Sequence, residues 1–178
     1  MKTIKFVSFD PASLRNLGWA LVTYNEDGDD GASITCSAGT FVAPKFEDKD
    51  RYLALWPMFS MVDTFLEKFQ PDVVVIEQTS GFKGGFVTGQ VSQCMGAILT
   101  ACGKHQRMVM FVYPSRVKKK VAGNGRATKP QMRKAVEGLL KKLSGLEVKF
   151  DSEHAIDATA NIISVLIEQG SIEVEDDE

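Results

Sequence analysis

The sequence has few cysteines and no long hydrophobic run, and each absence excludes a class of protein. Only three cysteines occur, none of them in a Cys-x-x-Cys pair, so neither a disulfide framework nor a cysteine-ligated metal site is expected. No apolar stretch approaches the roughly 18 residues of a membrane-spanning helix, and Ser8 and Asp10 interrupt the apolar start of the chain before a signal-peptide core can form. We therefore expect a soluble, cytoplasmic protein with reduced cysteines, located in the host cytoplasm if its source is viral.

The composition lacks any extreme. Of the 178 residues, 44% are hydrophobic and 25% are charged, which is typical of a globular chain, and no internal repeat or low-complexity linker divides it. This length suits one well-cored domain rather than two. We predict a single domain over residues 1–170 and a disordered acidic tail over residues 171–178, where like charges repel one another.

The spacing of apolar residues predicts three strands followed by helices that alternate with two more strands. The predicted strands cover about residues 4–9, 17–24, 33–43, 72–76 and 108–113. The predicted helices cover about residues 49–69, with a kink or restart at Pro57, 89–103, 129–143 and 152–169. The order β-β-β-α-β-α-β-α-α is typical of an α/β protein in which a mixed five-stranded sheet carries helices on both faces.

Two carboxylates stand at the ends of predicted strands, where Asp10 and Glu77 follow the apolar runs 6–9 and 73–76. An unpaired charge next to a core is costly, and carboxylates at neighbouring strand ends repel each other unless a cation lies between them. The pair therefore indicates a divalent metal and phosphate chemistry. The alternative for each residue alone is that it caps a loop amide or pairs with a lysine.

A third acidic segment lies at the start of the last predicted helix, where His154 and Asp157 are spaced i, i+3. Asn161 and Ser164 continue this polar stripe, and apolar residues occupy most other positions. Such a stripe is commonly the solvent-facing side of a helix. Together with the two strand-end carboxylates, it instead indicates side chains that reach inward to a metal site.

Positive charge is concentrated between residues 116 and 142, which include ten lysines and arginines and a single acid, Glu137, although the net charge of the chain is -2. A solvated helix face is one explanation of this excess. Beside a metal site, the same charges indicate a track for phosphates, with salt-sensitive and largely sequence-independent affinity.

Four motifs, in this order, resemble those of the RuvC family of Holliday junction resolvases, which are metal-dependent nucleases on the RNase H-like fold. Asp10-Pro11-Ala12-Ser13 with Gly18-Trp19-Ala20 is similar to the first motif of the family, and Ile76-Glu77-Gln78 is similar to its Ile-Glu-Gln element. Residues 117–125 resemble its basic element, and residues 154–158 resemble its Asp-Ala-Ala-Asp-Ala end.

Two positions depart from the family pattern, and both lie in these motifs. Ala12 stands where glycine is usual, and His154 stands where aspartate is common, which removes one negative charge from the site. The resemblance implies a structure-selective endonuclease that cleaves DNA with two Mg²⁺ ions per active site, with Mn²⁺ as a substitute, and leaves a 5′-phosphate. The catalytic and metal-binding residues that it implies are Asp10, Glu77, His154 and Asp157.

The resemblance also implies the partners. The substrate is branched DNA, above all four-way junctions, with three-way junctions and flaps as further candidates, and a homodimer would make the paired cuts. The helix over residues 89–103 is the candidate interface, although its small residues equally suit packing against the sheet. The predicted DNA-binding residues are Phe82, Lys83, Arg116, Lys118, Lys119, Lys120, Arg126 and Lys129.

Two other readings of the sequence stay open. A non-catalytic protein that binds branched DNA on the same fold would bind junctions without metal-dependent nicking. An actin-like or sugar-kinase-like phosphotransferase would share the fold and an early aspartate loop, but the chain has no second glycine-rich phosphate loop and is short for a two-lobed protein.

Overall fold

A computed structural model describes residues 2–27, 31–78, 85–145 and 147–172. Its strands are β1 (Lys2–Pro11), β2 (Asn16–Asp27), β3 (Gly31–Val42), β4 (Val73–Glu77) and β5 (Met108–Val112). Its α-helices are α1 (Leu55–Phe69), α2 (Gly85–Lys104), α3 (Pro114–Ala122), α4 (Lys129–Ser144) and α5 (Glu153–Glu168), and a 3-10 helix (Asp48–Ala54) precedes α1.

The five strands form one mixed sheet in the order β3-β2-β1-β4-β5. The first three strands are antiparallel neighbours, whereas β1, β4 and β5 run parallel. In the β1–β4 register Phe9 lies beside Ile76, so the next residues, Asp10 and Glu77, reach the same edge of the sheet. This edge is formed by the carboxyl ends of parallel strands, where ligands of open α/β sheets bind.

Helices cover both faces of the sheet because side chains alternate along the strands. Phe6 of β1 and Val75 of β4 pack in a core with α3, α4 and α5. Val7 and Phe9 point the other way, into a second core with α1 and α2. We name these the α5 face and the α1/α2 face; Asp10 and Glu77 have the strand parity of the α5 face.

The predicted fold class is confirmed, with one helix more than the sequence indicated. The helix α3 was missed because its exposed lysines interrupt the apolar pattern and only Val117 and Val121 are buried. Pro114 occupies its first turn, where a proline costs no hydrogen bond. The predicted helix over residues 49–69 is a 3-10 turn that continues into α1, rather than one α-helix kinked at Pro57.

The glycines of α2 do not pack against the sheet, which corrects one of the two roles considered for them. Apart from the backbone of the helix itself, a Cβ atom added at Gly89, Gly96 or Gly103 would meet no atom of the described residues within 4 Å. Cys94 and Ile98 face the core instead. The three glycines follow one another at intervals of seven residues and so form a stripe on the outer side of this helix.

One sequence prediction lies almost wholly outside the described residues. The predicted acidic tail covers residues 171–178, and the last six of these, residues 173–178, lie outside the described residues. Among the residues that are described, no helix combines the length and the apolar composition needed to cross a bilayer.

Candidate active site

Three of the four predicted metal ligands converge at the edge of the sheet. Ligand atoms of Asp10, His154 and Asp157 all lie within 4.8 Å of one another. Asp10 comes from the end of β1, and the other two come from the first turn and a half of α5. The i, i+3 spacing on the helix places both of its side chains on the side that faces β1.

Glu77 faces the same cluster from the end of β4. Its pKa is raised to about 7, first because its carboxyl group is largely buried and then because Asp10 and Asp157 are negatively charged nearby. The positive charge of Lys118 lowers the pKa again in part. The β1–β4 register puts Glu77 at the same edge of the sheet as Asp10, and the direction of its pKa shift agrees with that position.

The pKa of Asp157 is raised by burial and by neighbouring negative charge, as that of Glu77 is. Burial raises its pKa to about 6, and the negative charge of Asp10 adds to the rise, while Lys129 and His154 oppose it. Carboxyl groups that are buried together without a cation favour protonation. A bound divalent cation would reverse this preference, and the oxygen-rich ligand set fits Mg²⁺.

His154 is tied to Asp10 by a hydrogen bond, with 3.0 Å between Nδ1 of the ring and Oδ2 of the carboxylate. This bond is the main reason that the pKa of His154 is raised, against the opposing effect of burial. If Nδ1 donates to the carboxylate, the neutral ring presents the lone pair of Nε2 to a metal or a water. The histidine therefore has a defined partner in the position where the family commonly has an aspartate.

A glycine allows the helix to approach the sheet at this point. A Cβ atom at Gly18 would lie 2.2 Å from the carbonyl oxygen of His154, closer than atoms can approach. Gly18 pairs with Asp10 across β1 and β2. The backbone of α5 therefore lies directly on β2 beside the first carboxylate, which brings His154 and Asp10 into contact.

Two further contacts hold the first turn of α5. Asp151 accepts hydrogen bonds from the backbone N–H of Thr40, at 3.0 Å, and from its hydroxyl group, at 3.2 Å. Ser152, which also contacts the hydroxyl of Thr40, caps the helix by accepting from the N–H of Ala155. These bonds fasten the start of α5 to β3, the strand that contains Thr40 and pairs with β2.

A salt bridge from α4 reaches the same turn. Arg133 donates to Glu153, at 2.8 Å, and more distantly to Glu137. Glu153 directly precedes His154, so α4 and α5 are joined next to a proposed metal ligand. Sequence reasoning missed both the Thr40 and the Arg133 contacts, because their partners are distant in the chain and neither belongs to a recognisable motif.

The polar stripe of α5 faces the protein interior, which corrects the more common reading of such a stripe. Asn161 and Ser164 are buried. Asn161 donates to the hydroxyl of Ser8 on β1, at 3.4 Å, and Ser164 donates to the backbone carbonyl of Asn161, at 2.7 Å. The helix is buried on most sides because it lies between the sheet and the pair α3 and α4.

Two of the predicted DNA-binding residues lie near the metal cluster. Lys118 is close enough to affect the pKa of Glu77, and Lys129 is close enough to affect His154 and Asp157. The others on described helices and loops are exposed or half-exposed: Arg116, Lys119, Lys120 and Arg126. Phe82 and Lys83 lie outside the described residues, so their predicted contacts with DNA stay predictions.

Several of the ten basic residues between positions 116 and 142 contact other side chains of the protein. Arg133 is bound by two glutamates, as described above, and Lys141 forms a salt bridge with Glu147 at 3.4 Å. Arg116 lies over the ring of Tyr113. The lysines nearest to the metal cluster, Lys118 and Lys129, are therefore the strongest candidates for contact with a phosphate there.

Comparison with known proteins agrees with this geometry. The chain is 33% identical to the crossover junction endodeoxyribonuclease RuvC of Dictyoglomus turgidum over 137 residues. This aligned region covers 76% of this chain and 81% of the relative. It is 31% identical over 138 residues to that of Neorickettsia sennetsu, with coverage of 74% and 75%.

Among solved structures, RuvC of Thermus thermophilus shares the fold, with a TM-score of 0.74 at 21% identity and coverage of 94% of this chain and 98% of that one. This likeness confirms the RNase H-like architecture of the prediction. The family model described as crossover junction endodeoxyribonuclease RuvC matches residues 7–165, a range that contains all four clustered residues. The chain belongs to the RuvC family.

Proposed function

We propose that the chain is a metal-dependent endonuclease that resolves Holliday junctions by paired hydrolysis of phosphodiester bonds. The observation that carries this proposal is the convergence of Asp10, His154 and Asp157 within 4.8 Å, with Glu77 in electrostatic contact. Membership of a family whose relatives are named crossover junction endodeoxyribonucleases supports the same activity.

Asp10, Glu77, His154 and Asp157 would hold two Mg²⁺ ions, or Mn²⁺ in their place. Bound there, the ions supply activation of a water and stabilisation of the leaving oxygen in an in-line displacement. The chain contributes the ligand set and its rigidity: two ligands from strand ends of one sheet, and two from a helix that is fastened to that sheet through Thr40.

Side chains at this site would also orient a proton acceptor and attract phosphates. The Asp10–His154 hydrogen bond fixes the orientation of the ring, so that Nε2 is the atom left to accept a proton or to bind metal. Lys118 and Lys129 add positive charge at the border of the acidic cluster. Their charges would attract the phosphates on either side of the cleaved bond.

The proposed substrate is branched DNA, with four-way junctions first and three-way junctions and flaps as further substrates. A RuvC from Thermus thermophilus has been solved in complex with a Holliday junction substrate, and its chain has the fold of this one, with a TM-score of 0.72. In this chain, Lys118 of α3 and Lys129 of α4 lie near the metal cluster, and together with the exposed basic residues of these helices they would bind the arms through their phosphates.

A homodimer is the proposed working form, because a junction with twofold symmetry needs two active sites for paired cuts. The outward stripe of Gly89, Gly96 and Gly103 on α2 supports this proposal, since small residues allow two helices to approach closely. The opposite side of α2 is engaged with the sheet through Cys94 and Ile98. The outer side is thus the one available to a second copy.

Cleavage of labelled junctions tests the proposed activity. We expect wild-type protein with Mg²⁺ to nick a four-way junction, to leave ligatable 5′-phosphate ends, and to leave a linear duplex of the same sequence intact. Asp10→Asn and Glu77→Gln should abolish cleavage but retain binding, because each removes a metal ligand without removing a basic residue. Glu168→Gln, an acid at the exposed far end of α5, is the matched control and should cleave normally.

Two outcomes would contradict this proposal. Binding of junctions by the wild-type protein without metal-dependent nicking would identify a DNA-binding protein rather than an enzyme. Full cleavage by highly purified Asp10→Asn protein would place the chemistry elsewhere in the chain.

A further inference from the structure

A small pocket lies beside the active-site turn, on the side of the α1/α2 face. It has a volume of about 260 Å³ and is lined by Ser13, Leu14, Arg15, Lys45, Phe46 and Gln90, among others. We propose that this pocket is a nucleotide subsite, which binds one base and its adjoining phosphate in the DNA strand next to the cleaved bond. This assignment rests on the proposed function and names a part of the substrate that the metal cluster does not contact.

The pocket and the metal cluster share one rigid turn. Asp10 is three residues before Ser13, and the N–H groups of Ala12 and Ser13 both donate to the carbonyl of Asn16. The hydroxyl of Ser13 in turn accepts from the N–H groups of Arg15 and Asn16, at 3.2 and 3.1 Å. A ligand in the pocket is therefore held at a fixed position relative to the first metal ligand.

The other walls of the pocket are fastened to this turn as well. The N–H of Ala43 donates to the carbonyl of Arg15, at 2.7 Å, which positions the segment that contains Lys45 and Phe46. From α2, the thiol of Cys94 donates to the carbonyl of Ser13, at 3.2 Å, and this helix also carries Gln90. Three separate elements thus meet at the turn and enclose the pocket.

The chemistry of the lining suits a nucleotide. Phe46 is half-buried and offers an apolar surface on which the flat face of a base can pack, and the buried Leu14 belongs to the apolar core against which Phe46 packs. Arg15 and Lys45 are exposed at the rim, and none of the described residues that line the pocket carries a carboxylate, so the rim favours an anion. The amide of Gln90 can both donate to and accept from a base edge.

The size of the pocket limits the ligand to something small. Pockets that enclose drug-sized molecules measure about 300–1,000 Å³, and this one is below that range. A single base fits this limit better than a dinucleotide cofactor does. Because Ser13 in the pocket wall follows Asp10 of the metal cluster by three residues, the occupant that we infer is a base of the strand whose phosphate would lie at that cluster.

A junction series with single abasic sites tests the base-binding role. Each substrate lacks one base at a different position near the cleavage site, and binding is measured by anisotropy in EDTA, where no cleavage occurs. Stacking of a base is worth about 1–3 kcal/mol, so wild-type protein should lose about 5- to 150-fold in affinity at one flanking position. Gln90→Phe, which fills the pocket with a ring, should bind intact and abasic junctions equally.

Salt dependence tests the phosphate contact separately. We expect Lys45→Ala to lower the slope of log K against log salt by about 0.7–0.9, the value for one lost phosphate contact. Lys2→Ala removes the same charge at the opposite end of β1 and should leave the slope unchanged. Arg15→Ala should act like Lys45→Ala, although it also removes a 3.3 Å bond from its side chain to the carbonyl of Ala43.

The subsite is refuted if wild-type protein binds every abasic junction as tightly as the intact one, or if Gln90→Phe keeps the wild-type loss at the same position. Equal slopes for the Lys45→Ala and Lys2→Ala proteins refute the phosphate contact. Each of these results leaves metal-dependent cleavage by wild-type protein intact, so they differ from a failure of the proposed function, in which wild-type protein does not nick the junction at all.

Discussion

The two faces of the sheet differ in what they bury. On the α1/α2 face, Val7 and Phe9 of β1 pack among aliphatic, aromatic and cysteine side chains, and this core is apolar throughout its described residues. The α5 face also has a large apolar core, but it additionally buries polar and charged side chains from β1 and α5, which are Ser8, Asp10, Thr159, Asn161 and Ser164. Side chains that alternate along β1 therefore point into two different interiors, one apolar and one that also contains polar and charged groups.

This difference shows which face of the sheet holds the side chains that lower stability. Buried carboxylates lower stability unless they are paired or bind a cation. Asp10 and Glu77 have the strand parity of the α5 face, and His154 and Asp157 belong to α5 itself. The apolar α1/α2 face carries no such cost and supplies stabilisation through burial alone. Changes that relieve or disturb the α5 face should therefore alter activity and stability together, whereas changes on the outer side of α2 should alter assembly.

The largest effect is expected from Gly18→Ala, which disturbs the α5 face at its closest contact. The added Cβ must displace the backbone at His154, so metal binding and cleavage should be nearly lost. We expect the free energy of unfolding to fall by about 1–3 kcal/mol, the usual cost of overpacking. Isothermal titration with Mg²⁺ or Mn²⁺, junction cleavage and urea denaturation measure the three effects.

Gly138→Ala on α4 is the control for this change, because a Cβ atom there meets nothing within 4 Å. It should keep metal binding and cleavage. If Gly18→Ala cleaves junctions at the wild-type rate, the close approach of α5 to β2 does not position the site.

A second prediction concerns the cost of the carboxylates without metal. The pKa of Glu77 is raised from 4.5 to about 7, so the folded protein binds a proton more tightly than the unfolded chain does. The stability of the metal-free protein should then fall as the pH rises from about 4.5 to 7 and level off above that. Glu77→Gln should remove much of this fall and stabilise the metal-free protein at pH 8 by about 1–3 kcal/mol.

Urea denaturation in EDTA at pH 5, 6, 7 and 8 measures this prediction. Addition of Mg²⁺ should stabilise the wild-type protein at pH 8 and have a smaller effect on Glu77→Gln, since metal binding compensates the buried charges. A Glu77→Gln protein that is less stable than wild type at pH 8 in EDTA would show that this carboxylate stabilises the fold.

A smaller effect is expected at Thr40, which fastens α5 to β3. Thr40→Val keeps the backbone N–H donor to Asp151 but loses the hydroxyl contacts with Asp151 and Ser152. We expect a loss of about 0.5–1.5 kcal/mol in stability, the net value of a hydrogen bond, and weaker metal binding. Thr40→Ser restores the hydroxyl and should recover the metal affinity; failure of this rescue would assign the loss to packing alone.

The smallest effect on the fold is expected at Gly96, on the outer side of α2. Gly96→Ala should stabilise the monomer by about 1 kcal/mol, because alanine is the better helix former and its Cβ meets no neighbour. If two copies of α2 approach closely, the same methyl group should weaken the dimer. Light scattering over a concentration series compares it with Gly138→Ala, which should gain similar helix stability and leave assembly unchanged.

Much of the fold could be predicted from the sequence, because strand ends and helix caps have local signatures. The run Val73–Ile76 predicts a buried strand, and Thr128 with Gln131 forms the capping box that its pattern indicates. The placement of Asp10 and Glu77 follows from strand parity and parallel pairing. Only the neighbouring position of β1 and β4 in the sheet had to be supplied by the structure.

The rest depended on contacts that have no local signature. Burial of the α5 stripe followed from the sequence only in combination with Asp10 and Glu77, since a polar stripe on a helix is commonly the side that faces solvent. Its small polar residues satisfy their hydrogen bonds locally, as Ser164 does with the backbone carbonyl of Asn161 at 2.7 Å. Such residues are polar in composition but suited to a core. The Thr40–Asp151 contact joins residues 111 positions apart, and no pattern in either segment predicts it.

The β1–β4 register has a consequence for how this sequence can change over time. Because Phe9 pairs with Ile76, one inserted or deleted residue inside either strand would turn its carboxylate toward the α1/α2 face and remove it from the cluster. Changes in length should therefore be tolerated only outside the paired segments, while substitutions inside them remain open to selection. The histidine at position 154 shows the same for α5: the residue differs from the aspartate that is common in the family, but its position in the first turn of the helix is kept.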